Sequence, residues 1–158
     1  MNIDLINKFH NRFHENISKV ILGKPEVIDL AIMSPVYKGH LLIEDVPGTG
    51  KMMLAKCLAK SLKVQSSRIQ FTPDMLPSDA TGSSIFNWTT RKLEFRPGPI
   101  TCNIILADEI NQATPKTRSA LLEAKEEKQV TVNGITHFLP DFFMVIATQN
   151  PIDYEGTF

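Results

Sequence analysis

The chain has 158 residues, 42% of them hydrophobic and 22% charged, the composition of a folded globular domain rather than a disordered segment. Its 17 basic and 17 acidic residues cancel, so it lacks the basic footprint usual in nucleic-acid binders. Cys57 and Cys102 stand in no metal-ligand spacing, no signal-type start or membrane-length apolar run is seen, and the sequence predicts a soluble cytoplasmic protein with reduced thiols and no membrane span.

Leu5, Ile6, Phe9, Phe13, Ile17, Val20 and Ile21 recur mostly three or four apart and predict an amphipathic helix over about 4–22, ended by Gly23. Pro25 suits the first turn of a second helix, which Pro35 should kink or stop. "HLLIED" (40–45) reads as a buried strand, and Leu54, Leu58 and Leu62 give 51–62 a helical period. "RIQFT" (68–72), "CNIILADE" (102–109) and "FFMVIATQN" (142–150) read as further strands, and apolar runs alternating with helices predict a parallel sheet covered on both faces. Two stretches break the alternation. Residues 82–100 place Ile85, Phe86 and Trp88 before a polar turn and Leu93 and Phe95 after it, and 128–139 carries Asn133-Gly134 between alternating residues; both predict hairpins. No linker divides the chain, so 1–158 is expected to be one domain.

Between the first strand and its helix, residues 45–52 read D-V-P-G-T-G-K-M against the phosphate-loop pattern G-x-x-x-x-G-K-[ST]. Gly48 and Gly50 let consecutive amides surround a phosphate, the following helix points its positive end there, and Lys51 adds a point charge. A plain glycine turn between a strand and a core helix would look similar. Asp108 and Glu109 close the strand at 102–109, expected to lie beside the loop strand. Asp108 could reach magnesium, directly or through water, and Glu109 could orient and deprotonate an attacking water. A buried strand followed by a solvated acidic turn is the alternative. Asn150, in "ATQNP", could hydrogen-bond that water or a γ-phosphate, or could mark an Asn-Pro turn. The three motifs follow the required order, each at the carboxyl end of a predicted strand, where ligands of open α/β sheets bind.

"LIEDVPGTGK", "FRPGPI", "LADEINQATPKTRSALLEAKEEKQVTVNG" and "ATQNPIDYEGTF" together resemble the MoxR-type AAA+ ATPases, over about 22–158. The resemblance implies a P-loop NTPase core of AAA+ type, a parallel sheet sandwiched by helices with two β-hairpin inserts. It implies ATP and magnesium as ligands. Asp45, Val46, Pro47, Gly48, Thr49, Gly50, Lys51, Met52 and Met53 then form the nucleotide loop, with Lys51 as the Walker A lysine. Asp108 becomes the metal-holding acid, Glu109 and Asn150 the catalytic pair, and Val20 to Gly23, including Leu22 and Gly23, the adenine-pocket segment. It also implies a hexameric ring, a chaperone-like remodelling role and a partner with a von Willebrand factor A domain.

Three features depart from the pattern. Met52 replaces the hydroxyl that normally binds magnesium, and a thioether is too soft a donor for that hard ion. Phosphate contacts should survive, so nucleotide binding without turnover is one alternative, and a structural role without nucleotide another. The fifth strand, helical lid, arginine finger and sensor 2 of the family would lie past Phe158, so the chain reads as the N-terminal part of a MoxR-type module. Lys125 falls four residues after Leu121, on the stripe expected to face the core, where a lysine could snorkel.

Overall fold

The computed structural model describes residues 3–44 and 50–149. Helix α1, Ile3–Ser18, packs on helix α2, Pro25–Val36, and strand β1, Leu41–Glu44, follows. Helix α1 ends earlier than its periodicity suggests, because the amides of Val20 and Ile21 both fold back onto the Ile17 carbonyl, at 3.0 and 2.9 Å. Pro35 sits in the last turn of α2, where the helix stops. Helix α3 spans Lys51–Leu62, β2 Ser66–Gln70 and the short α4 Pro77–Thr81. Strands β3, Gly82–Asn87, and β4, Lys92–Pro97, form the first hairpin. Strand β5, Ile104–Asp108, leads through a 3-10 turn at Ile110–Gln112 into α5, Pro115–Glu127. The second hairpin pairs β6, Gln129–Val132, with β7, Ile135–Phe138, before β8, Met144–Gln149.

Four strands form a parallel sheet in the order β1-β8-β5-β2. The expectation that the acid-bearing strand lies beside the loop strand is therefore corrected: β8 runs between β1 and β5. Apolar runs mark strands buried on both faces but carry no record of their neighbours. Among the described residues β1 stands at one end of this strand order, and its Leu42 is 57% exposed.

The pleat distributes each central strand between two cores. Ile104, Leu106, Met144 and Ile146 meet Phe13, Ile17, Ile28, Ile32, Leu54 and Leu58 from α1, α2 and α3. Ile105, Ala107 and Val145 meet Ile69, Phe71, Ile100, Leu121 and Ala124 on the opposite face. The sheet is thus covered on both faces, as the alternation of elements predicts. Asn103 ties the strand starts together: its side-chain amide donates to the Phe142 carbonyl (3.1 Å) and its oxygen accepts the Gln65 amide (3.3 Å). His40 accepts the Val145 amide through Nδ1 at 3.0 Å and does the same for β1 and β8.

Both predicted hairpins form. Asn133 and Gly134 have φ of 51° and 76°, the paired positive values that a two-residue turn needs. Ala124 takes the buried position on α5, while Lys125 is half-buried beside His40, where its charge acts on the ring.

Candidate active site

The carboxyl ends of the sheet bring the sequence-predicted groups together. Gly50 caps α3 in a left-handed conformation, φ 84° and ψ 12°, and no side chain caps the helix start. As a glycine, Gly50 offers the helix start no capping side chain, and a helix start presents amides in the arrangement that suits an anion. Lys51 is the first residue of the helix. Asp45 to Thr49 and Asn150 lie outside the described residues.

Strand β5 ends in Asp108, and Glu109 follows with φ 55° and ψ 50°. That left-handed residue turns the chain into the 3-10 segment, whose far end Arg118 secures by donating to the carbonyls of Ala113 (2.9 Å) and Asn111 (3.2 Å). Thr148 of β8 is 1% exposed and bonds both acids. Its hydroxyl donates to Asp108 Oδ1 and accepts the Glu109 amide at 3.1 Å. From the other side Arg68 Nη2 donates to Asp108 Oδ2 at 2.7 Å, and Gln70 Nε2 donates to Glu109 Oε2 at 2.9 Å.

These contacts set the charge of the acid. Burial pushes the Asp108 carboxyl up, but hydrogen bonds from Thr148 and Arg68, and the charges of Arg68 and Lys51, outweigh it and hold the group below the ordinary aspartate range. Asp108 is thus an anion near neutral pH, and the Lys51 charge is close enough to act on it although a whole strand separates their parent strands.

A family description matches this chain over residues 40–158: ATPase family associated with various cellular activities (AAA). The chain belongs to the AAA family of ATPases. Within it the chain is of MoxR type. It is 57% identical over 144 residues to the uncharacterized protein YeaC of Bacillus subtilis, a match covering 91% of this chain and 45% of that one. It is 39% identical over 142 residues to the chaperone MoxR1 of Mycobacterium tuberculosis, covering 90% and 38%. A crystal structure of a proposed ATPase from Cytophaga hutchinsonii superposes with a TM-score of 0.80 at 40% identity, covering 98% of this chain and 48% of that one. The chain therefore spans less than half the length of these relatives.

In this AAA core, a small apolar-walled cleft of about 80 Å³ opens beside the helix start, lined by Ile21, Lys24, Val27, Ile43, Glu44, Gly50, Lys51 and Leu54. Within the segment from Val20 to Gly23, Ile21 faces this cleft. Leu22 is 82% exposed, and Gly23 borders a separate shallow cleft over Lys24 to Val27. The left-handed Gly50, the Lys51 charge and the apolar wall have the chemistry that suits an anionic ligand with an apolar part.

Magnesium fits less completely. Asp108 offers hard oxygens, but Met52 is half-buried and packs against the core of α1, α2 and α3, and its sulfur is a poor donor for that ion. Met53 is 48% exposed. Among the described residues no group of three or more His, Cys, Asp or Glu is placed to hold a metal ion.

Arg68, Gln70 and Thr148 escape sequence reasoning, as does Val27 as a cleft wall, whereas Ile21 falls within the Val20 to Gly23 segment that the family resemblance points to. Thr148 is legible only through its place two residues before Asn150. Arg68 and Gln70 carry no motif, and only the register pairing Gln70 with Asp108 brings them to the acids.

Proposed function

We propose that this chain binds ATP at the start of α3 and carries, in weakened form, the hydrolytic site of a MoxR-type chaperone-like ATPase. The observation that carries the reading is geometric: the left-handed Gly50 and Lys51 open α3 after β1, and Asp108 and Glu109 end β5 of the same parallel sheet. Lys51 and the α3 amides hold the phosphates, and Asp108 holds magnesium, which when bound neutralises phosphate charge. Glu109 orients the attacking water and accepts its proton, with Asn150 as the second water contact carried over from the family. Ile21, Val27 and Leu54 shelter the base.

Met52 favours a second reading, binding without turnover, since its side chain serves the core rather than the metal. A homo-hexameric ring, a partner bearing a von Willebrand factor A domain and a cytoplasmic location complete the proposal by family resemblance. Among the described residues no helix is long and apolar enough to cross a membrane.

The test compares phosphate release and nucleotide affinity in the unmutated chain and Glu109→Gln. The variant should keep its affinity and lose all residual release. Release that persists in Glu109→Gln contradicts the assignment of the water-activating role; binding with no release in either protein selects the second reading.

A further inference from the structure

We propose that Arg68 competes with magnesium for Asp108 and so sets how strongly metal tightens nucleotide binding at this site. The inference rests on the nucleotide reading above and adds to it a residue with no place in the loop or acid motifs.

Strand β2 is the edge of the sheet opposite β1, and its register sets Arg68 against Leu106 and Gln70 against Asp108. Residues two apart on a strand share a face, so Arg68 and Gln70 lie side by side. Arg68 Nη2 donates to Gln70 Oε1 as well as to Asp108 Oδ2, and Gln70 Nε2 donates to Glu109 Oε2. A single chain of hydrogen bonds thus runs Asp108, Arg68, Gln70, Glu109 and occupies one oxygen of each acid. The other oxygen of Asp108 accepts from the Thr148 hydroxyl.

A dication approaching Asp108 meets a carboxylate already neutralised by a guanidinium. Coordination must break or stretch the Arg68 contact, or take place a few ångströms from a fixed positive charge. Arg68 is 45% exposed and Asp108 21%, so solvent screens the effect and keeps it modest. Met52 offers no oxygen to offset it.

The experiment measures ADP affinity of the full chain by calorimetry, in chelator and then in saturating Mn²⁺, and reads the ratio of the two. Arg68→Gln should raise that ratio about tenfold. Arg68→Lys, which keeps the charge, should leave it close to the unmutated value. A ratio that is unchanged or lower in Arg68→Gln overturns the proposal, the lower value showing that Arg68 orients Asp108 for the metal instead. The unmutated chain supplies a second measurement that needs no variant to fold. The guanidinium nitrogen resonances of Arg68 should shift when Mg²⁺ is added to the ADP complex, and fixed resonances overturn the proposal. Absence of ADP binding under every condition defeats the nucleotide reading and this inference with it, whereas intact ADP binding with an unmoved ratio defeats this inference alone.

Discussion

Replacing Met52 by threonine separates two roles that this position combines. Met52 is the second residue of α3, half-buried against the core that Leu54, Leu58, Ile28 and Ile32 build over the sheet. Fully burying a methionine is worth about 1.5–3 kcal/mol. Met52 is only partly buried and threonine keeps one methyl, so the packing loss should be about 1 kcal/mol. For a chain of this length that lowers the melting temperature by about 3 °C. The gain is on the metal side. A hydroxyl restores a hard oxygen at the helix start, and since even indirect changes at metal sites alter affinity or activity about 10–100-fold, magnesium-dependent tightening of ADP should rise at least about tenfold. The assay is a pair of thermal melts, without ligand and then with ADP in chelator or magnesium, followed by phosphate release. An unchanged melting temperature without ligand refutes the packing role. A lower one with no change in magnesium dependence refutes the placing of Met52 on the metal side of the site.

Thr148→Val removes the hydroxyl that both bonds Asp108 and receives the Glu109 amide. Leaving that amide unpaired should cost about 1–3 kcal/mol in urea denaturation, and a cost near that of an ordinary surface change, about 0.5 kcal/mol, contradicts the account. Burial, then the charges of Lys125 and Lys128, hold His40 below its ordinary pKa of 6.5, against a hydrogen bond to the Lys125 backbone. The folded state thus prefers the neutral ring. Its contribution is complete above pH 6.5 and is lost as pH falls through the window below that value, where the unfolded chain binds the proton first. Urea midpoints taken from pH 7 down to 5 should fall less steeply in His40→Asn, which keeps an acceptor for the Val145 amide; parallel curves would contradict the assignment. Gly134→Ala meets no atom within 4 Å and suffers only its φ of 76°, about 1 kcal/mol. Gly82→Ala adds a Cβ 2.3 Å from the Arg96 carbonyl oxygen at φ 98° and should destabilise the chain more, so the opposite order in thermal melts would show that the hairpin base is not as close as described.

Much of this architecture is legible because single residues carry it. Asn133-Gly134 announces its hairpin since both positions take positive φ, and the run from Ile104 to Ala107 announces a strand buried on both faces. Lys51, Asp108 and Glu109 are legible because each stands where a predicted strand gives way to a turn or helix. What the residues do not carry is pairing. Nothing in "FFMVIATQN" tells that β8 slips between β1 and β5, and the apolar pattern would serve any central strand equally. Arg68 and Gln70 lie in a strand of mixed polarity whose meaning arises only from its register against Asp108. Lys125 breaks the apolar stripe, and Ala124 takes the buried position while the lysine lies half-buried near His40. The early end of α1 depends on a turn closed by the Ile17 carbonyl, which helical periodicity cannot register.

The central claim, that Lys51 and the start of α3 form a phosphate site facing Asp108, is tested most directly by titrating a fluorescent ADP analogue into the unmutated chain and into Lys51→Ala in chelator. The account predicts saturable binding to the unmutated chain and a loss of at least about tenfold in the variant, the worth of a hydrogen bond to a charged group. Equal affinity in the two proteins, with both folded, would contradict it.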